Sequence, residues 1–309
     1  MQQIVECVPN FSEGRRAEVL DEIVRAMTDA GVMLLDREMD ANHNRAVVTI
    51  AGAPDAVAEA AFRGCARAAQ LIDLNTHHGE HPRMGATDVI PFVPIRNMTM
   101  EDCIQLARRV GERIGRELEI PVYLYERAAT RPERRDLAYV RRGEYEAIRE
   151  EIATHPEREP DFGPRRVGKA GAVAVGARPF LIAYNVNLAT NDLHIAKDIA
   201  KVTRERGGGL PSVKALGFAL EDKGIVQVSM NLTDFNVTSM LTAFNHVRAE
   251  AEKRGVQVLG SELVGLVPLE ALVQIAREAL QLEGFSSQQV VEVRLQEAAA
   301  TNLFIRDYE

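Results

Sequence analysis

The chain has 309 residues, 46% hydrophobic and 27% charged, with a net charge of -8 at pH 7. That length holds two domains or one large one, and the acidic balance argues against general nucleic-acid binding while leaving room for a local basic patch facing a small anion. Cys7, Cys65 and Cys103 are odd in number, widely spaced and in no C-x-x-C motif, the pattern of reduced intracellular thiols rather than a disulfide frame. No signal-peptide pattern opens the chain and no run is apolar enough to span a bilayer, so a cytoplasmic protein away from membranes is expected.

Residues 4–8 read as a short strand ending at Pro9-Asn10-Phe11-Ser12, where Ser12 is positioned to cap a helix with the apolar face Val19, Leu20, Ile23, Val24 and Met27. Strands follow at 32–37 and 46–51. Pro54 opens a second amphipathic helix carrying Val57, Ala61, Cys65, Ala68 and Ile72. A histidine-rich loop comes next, then a strand near 88–93. Thr99 with Asp102 signals a capping box for a third helix, and 121–125 is another strand. Residues 126–171 are rich in Arg, Pro and Glu; Arg131-Pro132-Glu133-Arg134-Arg135 and His155-Pro156-Glu157-Arg158-Glu159-Pro160 read as exposed connector.

The order then repeats: a strand at 180–186, a helix with Ile195, Ile199 and Val202, strands at 213–219 and 225–231, a helix through Met240, Leu241, Phe244 and Val247, and a strand at 256–260. Pro268 opens a further helix, and Ser286-x-x-Gln289 signals a terminal one within 286–309. Both halves, 1–178 and 179–309, thus run strand–helix–strand–strand–helix–strand. The fold class expected is α+β: two ferredoxin-like subdomains, each a mostly antiparallel sheet backed by helices.

The stretch His77-His78-Gly79-Glu80-His81-Pro82-Arg83-Met84-Gly85, followed by Ala86-Thr87-Asp88, holds three of the seven histidines. Such a cluster points to proton transfer or to metal binding. His77, Glu80 and His81 match the H-x-x-E-H pattern of inverted zinc proteases, which would make a zinc-dependent hydrolase. That chemistry needs both histidines on one helical face, yet Gly79 weakens a helix and Pro82 disfavours helical geometry at His81. A loop bearing a general acid/base fits better, with no metal. A second loop, Asp161 to Gly171, carries three glycines and three cations, suited to close backbone approach and anion contact. It lacks the G-K-[ST] of a P-loop.

Several blocks together resemble the glutamate formimidoyltransferase family: Glu6-Cys7-Val8-Pro9-Asn10-Phe11-Ser12-Glu13-Gly14, Gly79-Glu80-His81-Pro82-Arg83-Met84-Gly85, Pro121-Val122-Tyr123-Leu124-Tyr125, Asp161-Phe162-Gly163-Pro164, Asn231-Leu232-Thr233-Asp234-Phe235 and Leu263-Val264-Gly265-Leu266-Val267-Pro268. The resemblance implies transfer of a formimidoyl group from N-formimidoyl-L-glutamate to tetrahydrofolate in histidine degradation. It also implies an active-site cleft between the two subdomains and a homodimer. In animals the family is fused to a cyclodeaminase; here a separate cyclodeaminase is the expected partner. The family's catalytic histidine matches His81. Its folate-binding segment matches Gly163, Pro164, Arg165, Arg166, Val167, Gly168, Lys169, Ala170 and Gly171, one residue shorter here and more basic. The family's acidic residue after the Leu34-Leu35-Asp36 strand is matched by position with Glu38.

The chemistry agrees. N5 of the folate attacks an amidine-like carbon, and a proton must pass from N5 to the departing glutamate nitrogen. One imidazole can take it and return it, with Glu38 or Glu80 holding its tautomer. Both substrates carry carboxylates, so arginines must line the site; Arg45, Arg83 and Arg178 are the candidates, with Asn10 beside them. A formyltransferase using 5-formyltetrahydrofolate and glutamate is the near alternative, and a non-catalytic folate-binding module the distant one.

Overall fold

The computed structural model describes residues 2–300; of the expected terminal helix within 286–309, residues 301–309 lie outside the described residues. The chain divides into two compact units, Met1–Pro179 and Phe180–Glu309.

The first unit is built on β1 (Ile4–Cys7), β2 (Asn10–Phe11), β3 (Met33–Asp40), β4 (Arg45–Gly52), β5 (Thr87–Arg96), β6 (Val122–Glu126) and β7 (Val173–Ala177). β1 and β2 are one strand interrupted at Pro9, lying between β4 and β5 and antiparallel to both; β3 extends the sheet beyond β4. On the other side β7 pairs parallel with β5, and β6 parallel with β7. The sheet is therefore mixed: antiparallel from β3 through β5, as the sequence suggests, and parallel from β5 through β7 to β6. The cause is helix α3 (Met100–Glu117), which carries the chain from the end of β5 back to the start of β6, so the two strands run the same way.

Helices α1 (Ala17–Thr28), α2 (Pro54–Leu71) and α3 cover one face of this sheet. Thr99 and Asp102 form the expected capping box on α3, with Asp102 N 3.1 Å from Thr99 Oγ1 and Thr99 N 2.8 Å from the Asp102 carboxylate. Ser12 does not cap α1. Its hydroxyl donates to the Gly85 carbonyl at 2.7 Å, and the Glu13 carboxylate takes the backbone N–H groups of Arg15 and Arg16 instead.

The opposite face of β5, β6 and β7 is covered by the segment the sequence suggests is solvated. It contains α4 (Leu137–Val140) and α5 (Glu144–Glu151). Val140, Ile148 and Ile152 pack with Val89, Tyr123, Tyr125 and Ala174, while the alternate strand residues Ile90, Val122, Leu124, Val173 and Val175 face the α1–α3 layer. Each such aliphatic side chain contributes about 1.5–3 kcal/mol on burial. Arg134 and Arg158 are buried too, not exposed: Arg134 pairs with Asp161 at 2.7 Å and Arg158 with Glu151 at 2.6 Å. Parallel strands need cover on both faces, and this layer supplies it.

The second unit holds β8 (Ile182–Leu188), α6 (Leu193–Thr203), β9 (Val213–Leu220), β10 (Ile225–Leu232), α7 (Met240–Glu252), β11 (Val258–Val264), α8 (Leu269–Leu280) and α9 (Val291–Ala300). Its sheet is wholly antiparallel in the order β11-β8-β10-β9. Asp192 and Ser239 cap α6 and α7, whose apolar faces join β8, β9 and β10 in one core.

Candidate active site

Residues 77–85 form no helix. The loop they make is tied to the turn between β3 and β4. Asn44, in the left-handed region at φ 47°, accepts from Gly14 N at 2.9 Å through its side-chain oxygen and donates to the His78 carbonyl at 2.9 Å. The His77 ring lies buried with Nε2 2.9 Å from the Asn44 carbonyl and Nδ1 3.4 Å from Arg83 Nε. Gly79 is needed because a Cβ there would come within 2.3 Å of the His43 carbonyl oxygen; at Gly85 it would meet that of Ala172 at 1.9 Å. The zinc-protease geometry does not form: His77 turns to Asn44 and Arg83 instead of sharing a helical face with His81.

His81 meets a buried ionic cluster. Its Nδ1 lies 2.7 Å from the Pro82 carbonyl oxygen and 3.1 Å from Arg45 Nη1. The shorter contact requires a proton on Nδ1, an assignment that leaves Nε2 with a free lone pair. Arg45 leaves the start of β4; its Nη1 donates to Asp88 Oδ2 at 2.7 Å, and its Nε and Nη2 hold the Asn10 side-chain oxygen at 3.0 and 2.6 Å. Asp88, in β5, has no exposed surface; its second oxygen accepts from Met84 N at 3.0 Å, and its first also receives Arg141 Nη2. Two guanidiniums thus share one carboxylate beside a neutral imidazole.

The electrostatics follow. Burial, then the charges of Arg45 and Arg141, push the His81 imidazole down to about 3, so it is neutral at working pH. Burial alone would raise the Asp88 carboxyl, but Arg141 and Arg45 hold it down to about 2. Arg45 is lowered by burial to about 10 and stays a cation.

The loop 163–171 runs beside the histidine segment. Gly171 bridges Gly85, Ala86 N donates to the Ala170 carbonyl at 2.8 Å, and Ala172 N to that of Met84 at 2.9 Å. Within it Arg165 donates to the Ile152 carbonyl, Lys169 to that of Gln70, and the exposed Arg166 pairs with Glu119.

Of the residues singled out from the sequence, Asn10, Arg45 and His81 are brought together. Arg83 is nearly buried and its guanidinium is taken by Glu146, at 2.6 and 2.7 Å, and by Glu144 at 2.9 Å. Arg178 follows β7 and donates to the Pro179 carbonyl. Glu38 sits in β3 opposite Val47. Against His81 Nδ1 stand the Pro82 carbonyl and Arg45, and Arg45 is in turn paired with Asp88. Asp88 lies at the end of the histidine stretch; Arg141 lies in the arginine-rich connector, where nothing local marks it.

The fold and this site define a protein of one class. Residues 4–178 match the Formiminotransferase domain, N-terminal subdomain, and residues 183–303 the Formiminotransferase domain; the chain belongs to the formiminotransferase family. It is 50% identical over 299 residues to glutamate formimidoyltransferase of Thermoplasma acidophilum, covering 96% of this chain and 98% of that one. It is 48% identical to glutamate formimidoyltransferase of Streptococcus pyogenes serotype M1, covering 96% and 99%. Against formimidoyltransferase-cyclodeaminase of Mus musculus it is 48% identical over 89% of its own length and 52% of the mouse protein.

Proposed function

We propose that the protein is a glutamate formimidoyltransferase, moving the formimidoyl group of N-formimidoyl-L-glutamate to N5 of tetrahydrofolate and releasing L-glutamate. The observation that carries this reading is the setting of His81, a neutral imidazole with Nε2 free, on a cationic cluster beside the loop 163–171. N5 attacks the formimidoyl carbon to give a tetrahedral centre. His81 Nε2 takes the N5 proton and hands it to the glutamate nitrogen as the C–N bond breaks. Substrate carboxylates arriving at the guanidiniums offset the charges that keep the imidazole a weak base. The backbone of Gly163–Gly171, with Arg165, Arg166 and Lys169, is proposed to hold the folate.

The same proposal takes in a homodimer, a cytoplasmic location, ferredoxin-like units and a cyclodeaminase activity that consumes the product. The fused arrangement of the mouse relative supports the last. Among the described residues no helix is long and apolar enough to cross a membrane. The test is turnover with N-formimidoyl-L-glutamate and tetrahydrofolate, following L-glutamate release. Product formation that depends on His81 is expected; no release above the His81→Asn background would refute the reading. Faster turnover of 5-formyltetrahydrofolate with glutamate would favour the formyl reaction.

A further inference from the structure

We propose that Arg141 is a substrate-binding residue: with Arg45 it takes the α-carboxylate of the glutamyl donor and so brings the formimidoyl carbon to His81. The inference rests on the transferase reading above. Arg141 follows α4 and is largely buried, with Nη2 on Asp88 Oδ2. The same oxygen receives Arg45 Nη1, so two guanidiniums share one carboxylate and the cluster carries one positive charge in excess. Asp88 is the carboxylate that faces His81, Arg45 and Arg141 together. The Pro82 carbonyl is neutral; His43, whose ring centre is 6.2 Å away, is paired with Asp40. The two glutamates nearest in sequence, Glu144 and Glu146, are committed to Arg83. Arg141 Nε is fully buried with no hydrogen-bond partner among the described residues. A buried excess cation with an unmet donor matches a planar anion with two oxygens, which a guanidinium fork grips in two places.

The donor fits better than the folate tail. In N-formimidoyl-L-glutamate the α-carboxylate shares a carbon with the nitrogen that bears the reacting group. The carboxylates of folate are separated from N5 by the whole p-aminobenzoyl spacer. Arg45 Nη1 stands 3.1 Å from His81 Nδ1 and 2.7 Å from Asp88 Oδ2. An anion held by this pair is therefore next to the imidazole, and its own molecule must carry the reacting carbon close by. Occupation also neutralises the excess positive charge that opposes protonation of His81, so donor binding prepares the base.

The test uses the full chain with Arg141→Met and Arg141→Lys. The Michaelis constant is measured separately for donor and for tetrahydrofolate. L-glutamate and p-aminobenzoyl-L-glutamate binding are measured by calorimetry. R141M should raise the donor KM and weaken L-glutamate at least about tenfold, the worth of one charge-assisted contact. The tetrahydrofolate KM should stay within about twofold. R141K, which keeps the charge and loses the fork, should fall between. In wild type, L-glutamate should move the His81 imidazole titration upward by NMR; in R141M it should not.

Donor KM and L-glutamate affinity within about twofold of wild type would overturn the proposal. So would a loss of p-aminobenzoyl-L-glutamate in place of L-glutamate, which assigns the cluster to the folate tail. If R141M fails to melt cooperatively, R141K alone decides. Wild type without turnover but with Arg141-dependent L-glutamate binding removes the transferase reading and keeps the site; turnover with unchanged donor KM does the reverse.

Discussion

Asp88→Asn isolates the charge at the centre of the site, since the amide keeps the shape and leaves two buried guanidiniums without a counter-charge. Arg141 and Arg45 bring the Asp88 carboxyl from an ordinary 3.8 to about 2 against the opposing effect of burial. At about 1.36 kcal/mol per pKa unit, a lowering of this size corresponds to roughly 2–3 kcal/mol of folding stability at neutral pH. Removing one partner of a buried pair costs about 3–5 kcal/mol in comparable cases, the stranded charge included. The expected loss is therefore about 3–5 kcal/mol, a large part of the about 5–15 kcal/mol that holds a domain. Because the folded carboxyl lies below its free value, its contribution is complete above 3.8 and is lost as pH falls toward about 2. Urea unfolding of wild type and D88N at pH 7 and near pH 3 measures this. A gap under about 1 kcal/mol at pH 7, or one that does not narrow in acid, would refute the ionic account.

Three further outcomes follow from the same geometry. His81→Asn should lower kcat by roughly a hundredfold or more while calorimetric folate affinity and the melting temperature hold, and His78→Asn should keep most of the turnover. Asn44→Ala removes two side-chain bonds and forces alanine into a left-handed turn; about 1–3 kcal/mol of stability should go, with a fall in kcat exceeding the change in KM. For pH, His81 is held from 6.5 down to about 3, so its neutral state favours folding above 6.5 and that advantage is lost as the solution is acidified toward 3. NMR of the free protein should show the His81 ring neutral at pH 5, and His81→Asn should flatten the acid slope of stability.

The second unit is the part of the fold most visible in the chain, because its strands and helices alternate in hydrophobic period and its helix caps, Asp192 and Ser239, stand where the periods change. β7 escapes for a physical reason. Val173–Ala177 is buried on both faces, so it shows no alternation, and its small residues resemble a linker between Gly171 and Arg178. The α4–α5 layer escapes because charged residues dominate its count, although Val140, Ile148 and Ile152 are the ones that reach the sheet. The site divides the same way. His81 stands out by its neighbours, and Asn10 and Arg45 by their blocks. Asp88 and Arg141 are 53 positions apart, and only the packing of that unforeseen layer makes them one group.

Surface loops ordinarily absorb inserted residues with little effect, since both ends can stay where they are. The segment from His77 to Gly85 is stitched at intervals along its length: to Asn44 by the His77 ring and the His78 carbonyl, to the Asn42 carbonyl by Glu80 N, to Ser12 by the Gly85 carbonyl. Its two glycines lie against other backbone with no room for a Cβ. Length is thus as much a fixed property of this stretch as its side chains. One added residue would put the seams out of step and swing the imbibed imidazole away from Arg45, so divergence in this protein has to be written elsewhere, in substitutions that leave the count untouched.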